Sequence, residues 1–287
     1  IRLFEHGAPG SQNLKLTRKY YTEDMPDGSV KHIVQNITDP DIVPYIPDGI
    51  GNSTDRQRIP AVLIIPGGAF RRLVYNFEGE DVAKWLNSMG IAAFVLECRL
   101  PSDEHDNAED VPLIDAMRAM RVIRGRAQEF GIDEAKIGVM GFSAGGFMAA
   151  LLSTAYESDV YADYKYKDEY DKLSARPDFA VCSYPVISID DCIEAGKRYM
   201  SEEQVLERIS DSKAKILHKY NPDKLVRPDM PPVFICETDD DRTTLSENSV
   251  GFYMAARKAG VSAELHIFRT GGHGYGCGDD FAQTGEW

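Results

Sequence analysis

Between Ile59 and Phe268 short apolar runs alternate with stretches of helical periodicity, and few architectures accept that pattern. The runs Ala61-Val62-Leu63-Ile64-Ile65, residues 91–98, residues 136–140, residues 179–184 and Val233-Phe234-Ile235-Cys236 are largely apolar rather than apolar at every second position. A strand with one wet face alternates. A continuous run belongs to a strand covered on both faces, as in parallel sheets. Helices are expected over 79–89, 111–130 and 246–259, each followed by a stop at Gly90, Gly131 or Gly260, and residues 264–268 form a last short strand. The pattern predicts an α/β fold with a mostly parallel central sheet and helices on both faces. At 287 residues the chain is read as a single domain spanning 1–287.

The flanks and interruptions are less regular. Residues 1–58 read as a polar, turn-rich lead-in with two short edge strands, Tyr20-Tyr21-Thr22 and residues 32–37, and with loop over 39–56, where Pro, Gly and Asp are dense. Two excursions break the alternation. Residues 156–177 are charged and carry five tyrosines, and residues 190–227 have helical composition and follow a strand end. Because the carboxyl ends of parallel strands face the site, the second excursion is expected to serve as a small lid.

The formal net charge of −14 argues against a nucleic-acid partner, since phosphate contacts need clustered Lys and Arg. It also disfavours anionic membranes, and no apolar run reaches the roughly 20 residues of a membrane span. A neutral small-molecule or oligosaccharide substrate fits best; the oligomeric state is open. Five cysteines with no C-x-x-C pair make no disulfide framework, and Cys98, Cys182 and Cys236, in apolar runs, are read as buried thiols. No basic-then-apolar leader opens the chain, and its first residue is Ile1. The compartment stays open between secreted or periplasmic and cytoplasmic.

Chemistry is concentrated at Gly141-Phe142-Ser143-Ala144-Gly145, which joins the strand 136–140 to a helix-forming run beginning at Phe147. Glycines at both ends permit a turn too sharp for side chains, and such a turn lifts the Ser143 hydroxyl above the sheet. A serine hydroxyl is a weak nucleophile and needs a base, which in turn needs a group to fix its tautomer. Of six histidines, only His273 stands in a glycine-rich loop just after the last strand, in Thr270-Gly271-Gly272-His273-Gly274-Tyr275-Gly276. An acid is expected between serine and histidine, and Asp239-Asp240-Asp241 follow the strand 233–236. Adjacent carboxylates repel, so one is buried beside the imidazole and the others are solvated; spacing alone does not choose among them. Ala144 supplies one oxyanion-hole N–H, and the small residues of Pro66-Gly67-Gly68-Ala69-Phe70 can supply others. No cofactor or metal is needed for this chemistry.

The run 115–121, the turn Gly131-Ile132-Asp133, the segment 138–146 and the tail 263–268 with Gly271-Gly272-His273-Gly274 resemble the α/β-hydrolase superfamily. Within it they are most similar to the acetyl xylan esterase and feruloyl esterase-like group, related to the hormone-sensitive-lipase and prolyl-oligopeptidase branches. The resemblance covers roughly 59–276 and implies an α/β-hydrolase fold with Ser143 as nucleophile and His273 as general base. Counting back from Glu247-Asn248-Ser249 it places the acid at Asp241, with Asp240 as the alternative because Thr244 and Leu245 stand where the family has Val and Pro. In the oxyanion loop Pro66 and Ala69 replace a histidine and a glycine of the family pattern, and Gly68, Ala69 and Ala144 are the implied donors. The resemblance implies hydrolysis of acetyl or feruloyl esters, on plant polysaccharide such as xylan. A dipeptidyl-peptidase-like serine peptidase and a non-catalytic binding protein of the same fold are the rival readings.

Overall fold

The computed structural model describes residues 1–49, 58–201, 203–205 and 212–277. The chain opens with a hairpin of β1 (Lys19–Asp24) and β2 (Val30–Gln35), then enters the main sheet through β3 (Asp41–Tyr45) and β4 (Ile59–Ile65). A two-residue strand, β5 (Leu73–Val74), precedes a single π-helical turn (Asn76–Glu80) and α1 (Asp81–Ser88). There follow β6 (Ala92–Glu97), α2 (Val111–Gly125), α3 (Ala127–Phe130), β7 (Ile132–Phe142) and α4 (Ala144–Ala155). The last part holds β8 (Ala180–Ser183), α5 (Ile189–Tyr199), α6 (Ser212–Lys219), β9 (Val233–Thr238), α7 (Ser246–Lys258) and β10 (Ala263–Phe268).

The seven-stranded sheet runs in the order β10-β9-β8-β7-β4-β6-β3, parallel throughout except for β3, which pairs antiparallel with β6 at one edge. Successive side chains of a strand point to opposite faces, so the apolar runs feed two layers at once. On β4, Leu63 and Ile65 pack with Val139, Met120 and Phe147 on the α2–α4 side, whereas Val62 and Ile64 pack with Val95, Met140 and Leu86 on the α1 side. All of these are buried, and each contributes about 1.5–3 kcal/mol relative to exposure. Cys98, Cys182 and Cys236 are buried free thiols, as read from their apolar surroundings.

The two short strands expected in the lead-in form outside the main sheet. β1 and β2 form a separate three-stranded sheet with β5, where Ile33 pairs with Val74 and Val34 with Leu73, because this register buries Ile33 and Val34. The edge of the main sheet is instead β3, inside the stretch read as loop; residues 50–57 of that stretch lie outside the described residues. Pro44 disguises β3 in the sequence, yet an edge strand tolerates proline there because at Pro44 it pairs only with β6. The helix expected over 111–130 is two helices. At Gly125 the Tyr170 ring occupies the space of a side chain, with its Cδ1 2.3 Å from where a Cβ would lie.

The two excursions are also placed. Tyr161 and Asp171 meet at 2.9 Å within 156–177, and Arg118 of α2 reaches Asp171 at 3.1 Å, so this stretch is tied to α2. Residues 190–227, of which 202 and 206–211 lie outside the described residues, fall in the connection between β8 and β9. Parallel neighbours require such a crossover.

Candidate active site

β7 ends at Phe142 and α4 begins at Ala144, leaving Ser143 alone at the turn with φ 53° and ψ −117°. A residue with a side chain pays on the order of 1–3 kcal/mol for such a conformation. Neighbouring backbone enforces it: Ser143 N–H donates to Ser183 O at 3.0 Å, and Ser143 O accepts from Phe147 N–H at 3.0 Å and Val186 N–H at 3.3 Å. Gly145 lets the turn close against β4, since a Cβ there would stand 1.9 Å from Ile65 O.

His273 follows β10 in a loop where Gly271, Gly272, Gly274 and Gly276 all take positive φ, of 157°, 64°, 80° and 55°. Those values are ordinary for glycine and rare for other residues. The loop is pinned by Thr238 Oγ1, which donates to Gly272 O at 2.7 Å, and by Gly272 N–H, which donates to Asp240 Oδ1 at 2.8 Å. The imidazole Nε2 thereby stands 2.9 Å from Ser143 Oγ, and Nδ1 stands 2.6 Å from Asp241 Oδ2.

The three aspartates after β9 divide as their mutual repulsion requires. Asp241 is buried, while Asp239 and Asp240 are exposed. Its Oδ1 accepts from Thr243 N–H at 2.6 Å and Thr244 N–H at 3.0 Å, and its Oδ2 accepts from Thr244 Oγ1 at 2.9 Å besides His273. Burial alone would raise this carboxyl. The hydrogen bond and charge of His273, with the Thr244 and Thr243 amides, outweigh it and hold Asp241 below the ordinary carboxylate value. Asp241 is therefore an acceptor toward His273, which puts the ring proton on Nδ1 and leaves Nε2 facing Ser143 Oγ. Asp240 instead holds the histidine loop by its backbone.

The turn after β4 faces the start of α4. Ala69 and Phe70 adopt φ of 56° and 59°, both unusual for residues with side chains. Gly67 N–H donates to Glu78 Oε2 at 2.8 Å and is occupied. The N–H groups of Gly68 and Ala69 have no acceptor among the described residues, and Ala144 N–H heads its helix with no carbonyl a turn earlier. The three N–H groups named from the sequence thus have no acceptor among the described residues. Beside Ala144 lies an apolar recess of about 10 Å³, lined by Phe70, Leu100, Pro101, Pro112 and Met148, with room for one water-sized group.

Two side chains at this site escape a reading of the sequence. Glu78 lies among acidic residues at a helix start, where a carboxylate is ordinarily solvated, yet it is buried. Tyr184 ends an apolar run and reads as core, yet its ring stands edge-on to His273 at a centroid distance of 5.0 Å. No local signal in the sequence distinguishes either.

Residues 50–255 match the family model BD-FAE. An acetylxylan esterase of Xylanibacter ruminicola is 31% identical over 223 residues, which are 77% of this chain and 42% of that protein. An endo-1,4-beta-xylanase B of Butyrivibrio fibrisolvens is 29% identical over 269 residues, covering 91% of this chain and 40% of that protein. The chain thus spans less than half the length of these curated relatives. Among solved structures, an acetyl ester-xyloside bifunctional hydrolase from Caldicellulosiruptor lactoaceticus superposes with a TM-score of 0.69 at 36% identity, covering 88% of this chain and 85% of that one.

Proposed function

Because the chain belongs to the BD-FAE family and has the α/β-hydrolase fold, we propose that it is a serine carboxylesterase acting on acetyl esters of xylan or xylo-oligosaccharides. The observation that carries this reading is the hydrogen-bonded line Ser143–His273–Asp241 beside the open N–H groups of Gly68, Ala69 and Ala144. His273 Nε2 takes the Ser143 proton as Oγ attacks the ester carbonyl, and the three N–H groups hold the oxyanion. The tetrahedral intermediate collapses to the acyl-enzyme as His273 gives the proton to the leaving sugar oxygen, which departs as a hydroxyl. Water, deprotonated by the same nitrogen, then attacks the acyl-enzyme, and carboxylate leaves with Ser143 regenerated.

Acetyl esters are what the names of the Xylanibacter and Caldicellulosiruptor relatives carry. Release of acetate and of ferulate from substituted xylo-oligosaccharides tests the assignment: acetate should dominate, and faster release of ferulate would overturn it. The reading treats 1–287 as one catalytic unit with 190–227 as its lid. Proteolytic nicking there should change kcat/KM for acetylated xylo-oligosaccharide more than for p-nitrophenyl acetate, and equal changes would remove the lid role. A dipeptidyl-peptidase-like activity predicts turnover of dipeptidyl p-nitroanilides, and a non-catalytic binding role predicts no turnover of any ester.

A further inference from the structure

A buried carboxyl that takes no part in the chemistry above touches two of its parts. Glu78 sits on the π-helical turn before α1 and is 5% exposed. Its Oε2 accepts from Gly67 N–H at 2.8 Å, at the base of the oxyanion loop. Its Oε1 accepts from the Tyr184 hydroxyl at 2.9 Å, and the same Tyr184 oxygen accepts from Gly276 N–H at 3.1 Å. Tyr184 also stacks edge-on against Tyr275 at 4.5 Å and against His273 at 5.0 Å. A continuous path of hydrogen bonds therefore runs from the oxyanion loop to the histidine loop through one carboxyl and one phenol.

We propose that Glu78 is a positioning residue for ester hydrolysis, holding the oxyanion loop and the His273 loop at a fixed separation across Ser143 through Gly67 and Tyr184. The proposal rests on the esterase reading. Three features of the site require a device of this kind. The oxyanion loop is held in an unfavourable conformation at Ala69 and Phe70, the histidine loop is rich in glycine, and neither is part of a strand or helix. Left to themselves, such loops sample many arrangements, and a misplacement of about 1 Å in an oxyanion donor or base can cost on the order of 10²-fold in rate. The fit around the carboxyl is tight. At Gly67 a Cβ would stand 2.7 Å from Glu78 Oε2 and 2.9 Å from Ser143 Cβ, so only glycine brings this backbone between the two. Gly276 closes the other end, where a Cβ would stand 2.9 Å from Phe77 O, on the residue before Glu78. Both Glu78 oxygens accept hydrogen bonds. Burial pushes its carboxyl up, while the charge on His273 and the Tyr184 and Gly67 donors work in the opposite direction.

The test uses Glu78→Gln and Tyr184→Phe, singly and together, with p-nitrophenyl acetate as substrate and fluorophosphonate titration to count active sites. Glutamine keeps the shape but turns one acceptor into a donor, and phenylalanine keeps the ring on His273 but removes the bridge. Each variant should lower kcat per titrated site about 10–100-fold with KM within about 3-fold, because the interaction acts on the transition state. The double variant should fall no more than about 3-fold below the worse single one, since both break one path. A merely structural role would lower the number of titrated sites and leave kcat per site unchanged. That result in Glu78→Gln, or fully multiplicative losses in the double variant, overturns the proposal. If Glu78→Gln does not fold, an unchanged kcat per site in Tyr184→Phe overturns it alone. Failure of the esterase reading is separate and appears as undiminished turnover by Ser143→Ala.

Discussion

Replacing Asp241 by asparagine isolates the carboxylate while keeping its shape, and the structure fixes what the amide must do. The Oδ1 position faces two backbone donors, Thr243 N–H at 2.6 Å and Thr244 N–H at 3.0 Å. An amide NH₂ placed there would leave both amides without an acceptor, at about 1–3 kcal/mol each. The amide oxygen therefore takes that position, and the NH₂ turns to His273 Nδ1, 2.6 Å away in the wild type. Nδ1 must then accept, so the ring proton moves to Nε2, which faces Ser143 Oγ at 2.9 Å. In that tautomer the imidazole cannot take the serine proton. The expected loss is on the order of 10⁴ in kcat, about 5 kcal/mol in the barrier, with a far smaller change in KM. Steady-state kinetics with p-nitrophenyl acetate at pH 8 reads it, with circular dichroism checking the fold. Asp240→Asn is the control: among the described residues Asp240 accepts only from Gly272 N–H in the histidine loop, so its loss should stay within about 10-fold. A folded Asp241→Asn enzyme losing less than about 10-fold, or a larger loss in Asp240→Asn, would refute the assignment of the acid.

Other consequences concern stability. Ser143→Gly should be more stable than Ser143→Ala by about 1 kcal/mol, because both lack the hydroxyl and only glycine relieves the strain at φ 53°; a lower Tm for the glycine variant would contradict that strain. Gly145→Ala should lower Tm and esterase activity together, since its Cβ would stand 1.9 Å from Ile65 O and 2.8 Å from Pro66 O, at the root of the oxyanion loop; wild-type Tm and activity would show that the turn yields freely. Glu237 is fully buried, and burial followed by the nearby Asp241 charge holds its carboxyl well above the ordinary value. A raised carboxyl contributes stability below its unfolded value of 4.5 and loses it as pH rises toward the folded value, so Glu237→Gln should match the wild type near pH 4 and exceed its Tm increasingly toward pH 8. A Tm difference independent of pH would show that Glu237 is not the titrating group.

How much of this molecule is legible in its sequence follows from where its information is local. β4, β6, β7, β8 and β9 read as strands because burial on both faces makes them continuously apolar. Ser143 and His273 stand out because glycine surrounds both, and the structure brings them within hydrogen-bond distance across 130 positions. β3 is hidden by Pro44, which an edge position makes harmless, and the need for glycine at position 125, the last residue of α2, comes from Tyr170 in a distant segment. Glu78 and Tyr184 are hidden more deeply. Their bond spans 106 positions, and in the sequence one resembles a solvated helix-start carboxylate and the other ordinary core. The choice among Asp239, Asp240 and Asp241 depends on which of them the turn after β9 points inward, a matter of backbone geometry that spacing does not encode.

The assignment of Ser143 as the nucleophile of an acyl-transfer site can be checked by treating the folded protein with a fluorophosphonate and locating the label by peptide mass spectrometry. One adduct per chain is expected, on the peptide bearing Ser143, with loss of esterase activity in proportion to labelling and no adduct in His273→Ala. A folded wild-type protein that takes no adduct on Ser143, or that keeps its activity when fully labelled there, would contradict it.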